Sequence, residues 1–214
     1  MKNTFILIVI ISSILSSCKT TQENPNAANG AGIGAAAGAL VGAVIGHQSG
    51  QRDKGAAFGA LIGAGAGGLA GSRLDKQKKE LEKIAETKRT EQGLVTKLKS
   101  DILFDTGKSA LKDQAKNNIG ELATIMKKYP ENVITVKGYT DNTGTDKVNL
   151  PLSEGRAKSV QAQLVSAGIP AQTVTAVGMG SSDPIDAGST AAAKAKNRRV
   201  EIEIAVDESK IPKK

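Results

Sequence analysis

The sequence predicts an α+β fold for its C-terminal half, with helices packed against a mixed sheet. Within residues 99–206, β-branched segments alternate with segments whose apolar side chains recur at helical spacing. The last segment, VEIEIAV at residues 200–206, places its valine and isoleucine side chains on one face of a strand. The resulting order, βαβαβ with one further strand, favours helices that cover a single sheet.

Three strands are predicted before this last one, and two helices lie between them. The strands are DILF (101–104), VITVKG (133–138) and TVTAVG (173–178). Over residues 109–128 the apolar positions form one helical stripe. A second helix is predicted to begin with Ser153 as its N-cap and to end at Gly168, before Pro170.

Residues 73–98 are predicted to form a basic helical connector. Nine basic and five acidic residues between positions 73 and 99, strong helix formers and only a thin apolar stripe at Leu74, Leu81 and Ile84 indicate a mostly solvated spacer. A short coiled coil is the alternative, although sustained heptads are missing.

The net charge of +8 does not indicate a basic binding face. Residues 100–206 carry thirteen basic and twelve acidic side chains, so the domain is nearly neutral, and a short tail at 207–214 follows it. Because only 2% of the residues are aromatic, we expect no nucleic-acid partner.

Residues 30–72 contain glycine at every fourth position in two series, from Gly30 to Gly50 and from Gly55 to Gly71. This period places the glycines on one helical face, where another backbone can approach closely. The pattern resembles the glycine-zipper segments of bacterial envelope lipoproteins. It predicts a helical hairpin that packs on itself, on other copies in a homo-oligomer, or into a membrane leaflet. A flexible Gly/Ala linker is the alternative, but such a linker does not need a strict period.

The first residues have the features of a lipoprotein signal peptide, predicted over 1–17. Lys2 precedes a short apolar run that cannot span a bilayer, and serines follow. LSSC, which ends at the single cysteine Cys18, resembles the bacterial lipobox, whose cysteine carries acyl chains such as palmitate. Because Lys19 and not aspartate comes next, the resemblance implies the outer membrane. Residues 18–29 would be a lipidated, flexible tether on that membrane.

Four motifs of the C-terminal domain carry a second resemblance. ILFDTGKSAL, VKGYTDNTGTDKVNLPLSEGRAKSV, GMGSSDP and NRRVEI have the order and spacing of the OmpA-like peptidoglycan-binding domain. With the lipobox and the glycine zipper they resemble the YiaD type of outer-membrane lipoprotein. Two departures are Gly155, where a larger polar residue is usual, and the lack of an arginine upstream of NRR.

The resemblance implies a ligand site at Asp141 and Arg156. In the family, these positions hold the diaminopimelate of the peptidoglycan stem peptide. Diaminopimelate has an ammonium and a carboxylate on one carbon, so Asp141 would accept from the ammonium while Arg156 donates two hydrogen bonds to the carboxylate. The N-terminus of the second helix would add backbone donors. The further candidates for this site are Thr140, Asn142, Phe104, Asp105, Asn197 and Arg198. The alternative is an exposed Asp141–Arg156 ion pair, worth about 0–1 kcal/mol.

No catalytic site, metal site or cofactor is expected. The sequence has no His/Cys/carboxylate cluster and no phosphate loop, so we do not expect an enzyme. The combined features predict a protein lipid-anchored in the outer membrane whose periplasmic domain binds peptidoglycan and tethers the membrane to the cell wall. Two rivals remain. The glycine zipper could form a membrane oligomer or pore with the wall domain as its anchor, or the protein could modulate outer-membrane assembly.

Overall fold

The computed structural model describes residues 68–90 and 92–211. The predicted signal peptide, Cys18 and nearly all of the glycine repeat lie outside these residues. Five helices are described: α1 (Gly68–Leu81), α2 (Ser100–Leu103), α3 (Asp113–Met126), α4 (Asp146–Ser166) and α5 (Ala191–Asn197). The strands are β1 (Glu86–Thr90), β2 (Gly93–Lys99), β3 (Asn132–Gly138), β4 (Val174–Gly178) and β5 (Arg199–Val206). Short 3₁₀ turns occupy Ala171–Thr173 and Glu208–Lys210.

The five strands form one mixed sheet in the order β1-β2-β5-β3-β4. All neighbours are antiparallel except β3 and β4, which are parallel and connected through α4. The predicted α+β fold with helices on a mixed sheet is therefore confirmed. None of the helices in the described residues is long and apolar enough to cross a membrane.

The core lies between one face of the sheet and helices α1, α3 and α4. Ile202 and Ile204 of β5 are buried beside Val136 and Ile134 of β3, their register partners. This is the face on which the alternation of residues 200–206 placed the branched aliphatic side chains. The opposite face is polar: Lys137 Nζ donates to Glu203 Oε1 at 2.6 Å.

The structure corrects the predicted connector over residues 73–98. Its helix ends at Leu81, and the residues that follow form the β1–β2 hairpin, whose strand β2 pairs with β5. The helix is docked on the domain, because Leu74 and Leu81 are buried in the common core. Lysines and glutamates gave this segment a helical composition, but the pairing of β2 with β5 and of β1 with β2 favours strands.

The contacts of α1 with the loop before β3 make the docking polar as well as apolar. Arg73 pairs with the buried Glu131, and Lys128 Nζ donates to Glu80 Oε2 at 2.6 Å. The domain therefore begins well before the predicted boundary at residue 99.

The predicted strand DILF is also wrong. These residues form most of the one-turn helix α2, and only Phe104 makes a β-bridge, to Leu111. A run of four residues cannot be assigned from periodicity alone. Here Leu103 and Phe104 are buried whereas Ile102 is exposed.

The second predicted helix begins eight residues earlier than expected, with Thr145 as its N-cap and Asp146 as its first residue, and it contains Pro151. Ser153 is therefore not an N-cap. Its Oγ donates to Leu150 O at 2.8 Å and accepts from the Gly180 N–H at 2.9 Å, which ties α4 to the loop after β4. The asparagine and proline of the first turns have low helix propensity, and for that reason the sequence favoured a later start.

Candidate ligand-binding site

The candidate site lies where β3 ends. The register of β3 and β5 aligns Gly138 with Val200, so the residues after β3 lie beside those before β5. The Tyr139 N–H donates to Arg199 O at 2.9 Å and continues the ladder past the end of β3. This pairing brings Asp141 next to Arg198, although 57 positions separate them in the sequence.

Asp141 has a hydrogen-bond donor on each carboxylate oxygen. Oδ2 accepts from Arg198 Nη1 at 2.9 Å, and Oδ1 accepts from the Thr143 N–H at 2.8 Å. Burial raises the pKa of Asp141, but the hydrogen bonds from Arg198 and Thr143 outweigh it and hold the pKa below its ordinary value. Asp141 is therefore an oriented anion at neutral pH, and each oxygen keeps a lone pair for a further donor.

Arg156 reaches the site because α4 lies very close to the ends of β3 and β4. A Cβ atom on Gly138 would be 2.1 Å from Ser153 O, and one on Gly178 would be 2.6 Å from Glu154 N. Only glycine permits so close an approach of the helix backbone. The α4 turn that carries Arg156 consequently lies beside the end of β3.

Arg156 is a buried cation without a carboxylate partner among the described residues. It is 4% exposed, and none of the ion pairs in the described part of the chain includes it. Its Nε donates to Lys108 O at 3.1 Å, and its guanidinium carbon lies 5.2 Å from the centre of the Phe104 ring. Burial lowers the pKa of Arg156, and the nearby carboxylates of Asp101 and Asp141 act in the opposite direction. The terminal guanidinium nitrogens can serve an anionic ligand.

Arg198 bridges two carboxylates, one of which the sequence did not suggest. Nε and Nη2 donate to Asp101 Oδ1 and Oδ2 at 3.1 and 3.0 Å, and Nη1 donates to Asp141. These bonds raise the pKa of Arg198, and Arg198 in turn lowers the pKa of Asp101. The site thus contains two anions and two cations. The only sequence signal for Asp101 is an acidic residue in the first turn of a helix, and the strand prediction over DILF concealed it.

The structure also changes the expected sources of hydrogen bonds. Asp141 and Arg156 do not form an ion pair with each other, so the alternative of an exposed pair is not what the structure shows. Because α4 begins at Asp146, the backbone N–H groups near Ser153 lie inside the helix and cannot serve the ligand as helix-terminal donors.

Two predicted neighbours of Asp141 have different surroundings. Thr140 is buried, its N–H donates to Gly180 O at 2.8 Å, and its Oγ1 has no hydrogen-bond partner among the described residues. Asn142 is exposed. Phe104 packs in the core with its ring against Arg156, so it is a core residue and also a neighbour of the site.

The side chains of Asp105 and Asn197 have partners other than Asp141 and Arg156. The Asp105 carboxylate pairs with Lys108 and Lys112 at 3.4 and 3.7 Å. The Asn197 side-chain amide forms two hydrogen bonds with the backbone of Asp186: Oδ1 accepts from the N–H at 3.0 Å and Nδ2 donates to the carbonyl oxygen at 2.7 Å. Asn197 therefore holds the loop before α5 in place.

In the described ranges, no group of three or more metal-binding side chains is assembled. A cleft of about 630 Å³ is lined by Asp101, Ile102 and Ile185, but neither Asp141 nor Arg156 lines it. Charge and burial, and not cavity volume, therefore mark the candidate site.

Comparison with known proteins supports both resemblances found in the sequence. Residues 103–198 match the model of the OmpA family, and residues 1–75 match the model of the YMGG-like Gly-zipper. The probable lipoprotein YiaD of Escherichia coli (strain K12) is 37% identical over 114 residues, which are 53% of this chain and 52% of YiaD. The peptidoglycan-binding protein ArfA of Mycobacterium tuberculosis (strain ATCC 25618 / H37Rv) is 44% identical over 84 residues, or 39% of this chain and 26% of ArfA. The chain thus spans about half or less of these relatives.

Solved structures show the same architecture. The periplasmic domain of Helicobacter pylori MotB has a TM-score of 0.53 at 29% identity, over 57% of this chain and 89% of that chain. A putative MotB-like protein from Desulfovibrio vulgaris has a TM-score of 0.58 over 64% of this chain and 94% of that one, and at 23% identity it supports the fold alone. The motifs, the fold and the family matches agree: residues 103–198 match the OmpA family, and residues 1–75 match the YMGG-like Gly-zipper.

Proposed function

We propose that this protein binds peptidoglycan non-covalently, by holding the diaminopimelate of the stem peptide between Asp141 and Arg156. The observation that carries the proposal is the buried Arg156, which has no carboxylate partner among the described residues. An unpaired buried charge is costly to a fold, so an arginine at this position suits an anionic ligand. The similarity to ArfA, named a peptidoglycan-binding protein, supports the same ligand class.

The charges around Arg156 fit a zwitterion and not a simple anion. The ligand carboxylate would accept from the terminal nitrogens of Arg156, whose plane is set by the Lys108 carbonyl and the Phe104 ring. The ligand ammonium would donate to the free lone pairs of Asp141. A stem peptide with lysine in place of diaminopimelate keeps the ammonium but lacks the carboxylate, so the site should discriminate against it.

Titration of the two stem peptides tests this function. We expect diaminopimelate peptide to bind about ten- to a hundredfold more tightly than the lysine peptide, because a hydrogen bond to a charged group contributes about 1.5–3 kcal/mol. Arg156→Ala should remove most of that difference in affinity, whereas Asp141→Ala should weaken the binding of both peptides. Equal affinity of the unmodified protein for both peptides would refute the proposal, and co-sedimentation with sacculi checks binding to the intact wall.

The membrane half of the proposal rests on the sequence around Cys18. A lipid on Cys18 would hold the protein in the outer membrane, with the OmpA family domain in the periplasm, and would make it a tether between membrane and wall. The name of YiaD, a probable lipoprotein, supports this arrangement. We expect Cys18→Ser to remove labelling by palmitate and to release the protein from the membrane fraction. Palmitate labelling that persists in this variant would exclude Cys18 as the lipidated residue.

A further inference from the structure

We propose that Asp101 is a positioning residue of the ligand site: it fixes Arg198, and Arg198 fixes Asp141 for the ligand ammonium. The proposal rests on the proposed function, because the group that it serves is the diaminopimelate site. Asp101 itself does not need to contact the ligand.

The geometry of Arg198 supports this order of action. A single hydrogen bond from Nη1 to Asp141 would leave the guanidinium free to rotate about that bond. The paired bonds from Nε and Nη2 to the two oxygens of Asp101, at 3.1 and 3.0 Å, fix its plane. Only with the plane fixed does Nη1 stay directed at Asp141 Oδ2, at 2.9 Å.

The backbone holds Asp101 at the correct place. Lys99 and Arg199 are register partners in the β2–β5 ladder, and the next hydrogen bond joins the Ser100 N–H to Arg198 O at 3.1 Å. Asp101 follows Ser100 in α2, and its carbonyl accepts from Lys112 Nζ at 2.9 Å. The sheet therefore sets the separation of Asp101 and Arg198 before their side chains meet.

The expected size of the effect of Asp101 on stability and on binding follows from the exposure of its side chain. The Asp101 side chain is 60% exposed, so water competes for Arg198 and the contribution to stability is small. The contribution to binding is indirect, through the orientation of Asp141. We expect Asp101→Asn to lower the affinity for the diaminopimelate peptide by about three- to tenfold, which is comparable to the loss of one ordinary hydrogen bond.

A double-mutant cycle distinguishes positioning from direct attraction. If Asp101 acts through Arg198, Asp101→Asn weakens peptide binding in the unmodified protein but has no effect in the Arg198→Gln background. If Asp101 attracts the ligand ammonium itself, it weakens binding equally in both backgrounds, and the proposal is overturned. Asp75→Asn is the control, since Asp75 is an exposed carboxylate of α1 paired with Arg89 at 3.7 Å.

A second measurement does not require any ligand. NMR titration of the Asp141 carboxyl reports how firmly Arg198 is held, because Arg198 donates to Asp141 and lowers its pKa. The other charged groups of the site are Arg156, which interacts with Asp141, and Asp101, which is paired with Arg198. Loosening of Arg198 in Asp101→Asn should raise the pKa of Asp141, whereas mere removal of a neighbouring negative charge should lower it. A lowered or unchanged pKa would overturn the proposal.

The two measurements also separate this proposal from the proposed function. If the unmodified protein does not bind diaminopimelate peptide, the proposed function is refuted, and the role in ligand binding falls with it. The titration still decides whether Asp101 positions Arg198 against Asp141. A raised pKa together with a cycle that couples Asp101 to Arg198 supports the whole chain of contacts.

Discussion

Replacing Arg156 with methionine should weaken binding of the diaminopimelate peptide without lowering the stability of the fold. Methionine keeps an unbranched, flexible side chain that can fill the same space, and it removes the charge. The residue is 4% exposed and has one hydrogen bond, from Nε to Lys108 O, together with its contact to Phe104. These are the only protein interactions of the guanidinium that the described structure provides at close range.

The expected stability change is the difference between two effects of opposite sign. The variant loses about 1.5–3 kcal/mol for the hydrogen bond from the charged guanidinium and about 1 kcal/mol for the cation–π contact. It gains by no longer burying an unpaired ion, a penalty of several kcal/mol that the attraction of Asp101 and Asp141 reduces. We therefore expect the free energy of unfolding to stay constant or to rise by up to about 2 kcal/mol.

Urea unfolding and peptide titration together test this expectation. Affinity for the diaminopimelate peptide should fall by about ten- to a hundredfold. Lys158→Met is the matched control, because Lys158 lies on the same helix, is 63% exposed and pairs with Glu154 at 2.6 Å. A variant at Arg156 that is destabilised by more than about 2 kcal/mol and still binds peptide would show that this arginine is a structural cation.

Three further predictions concern the fold and its charges. Gly138→Ala should lower the free energy of unfolding by about 1–3 kcal/mol or more, since its Cβ would be 2.1 Å from Ser153 O; Gly120→Ala, with open space around its Cβ, should be neutral or stabilising in the same urea experiment. A chain that begins at residue 99 should show no cooperative unfolding by circular dichroism, because β5 would lose its partner β2; a cooperative transition would mean that α1, β1 and β2 are accessory. The depressed pKa of Asp141 contributes stability that is present above the ordinary value of 3.8 and is lost as the pH falls through the depressed value. Arg198→Gln should flatten this acid dependence of unfolding, and identical pH profiles would contradict the role of Arg198.

The elements that the sequence predicted correctly are those whose own periodicity agrees with their tertiary environment. Strand β5 alternates because one of its faces meets the core, and α3 has a stripe because one side packs on the sheet. The hairpin β1–β2 could not be predicted in this way. Its lysines, glutamates and threonines carry no clear period, and its strands exist because β5 offers a ladder to β2.

The residues of the site divide in the same way: some are identified by a local motif, and others are brought together only by the pairing of distant strands. Asp141 and Arg156 were recognised from motifs, and the close approach of α4 explains how they come near each other. The bridge from Asp101 through Arg198 to Asp141 depends on the registers of β2 with β5 and of β5 with β3. No local pattern reports such a register. The alternative of an exposed Asp141–Arg156 pair also disagrees with the structure, because the Asp141 side chain is 13% exposed and Arg156 is almost fully buried.

The docking of α1 changes what a wall tether of this kind would require. A solvated helical spacer over residues 73–98 would extend the reach between membrane and wall by about 39 Å, at 1.5 Å per residue. The structure removes that extension, since Leu74 and Leu81 are buried in the domain core and Arg73 is paired with Glu131. In the proposed tether, the distance from a lipid on Cys18 to the ligand site must therefore be spanned by residues before α1 and by the domain itself. Lengthening the chain between Cys18 and α1 should then extend the reach of the tether, whereas changes within α1 should act on the stability of the domain.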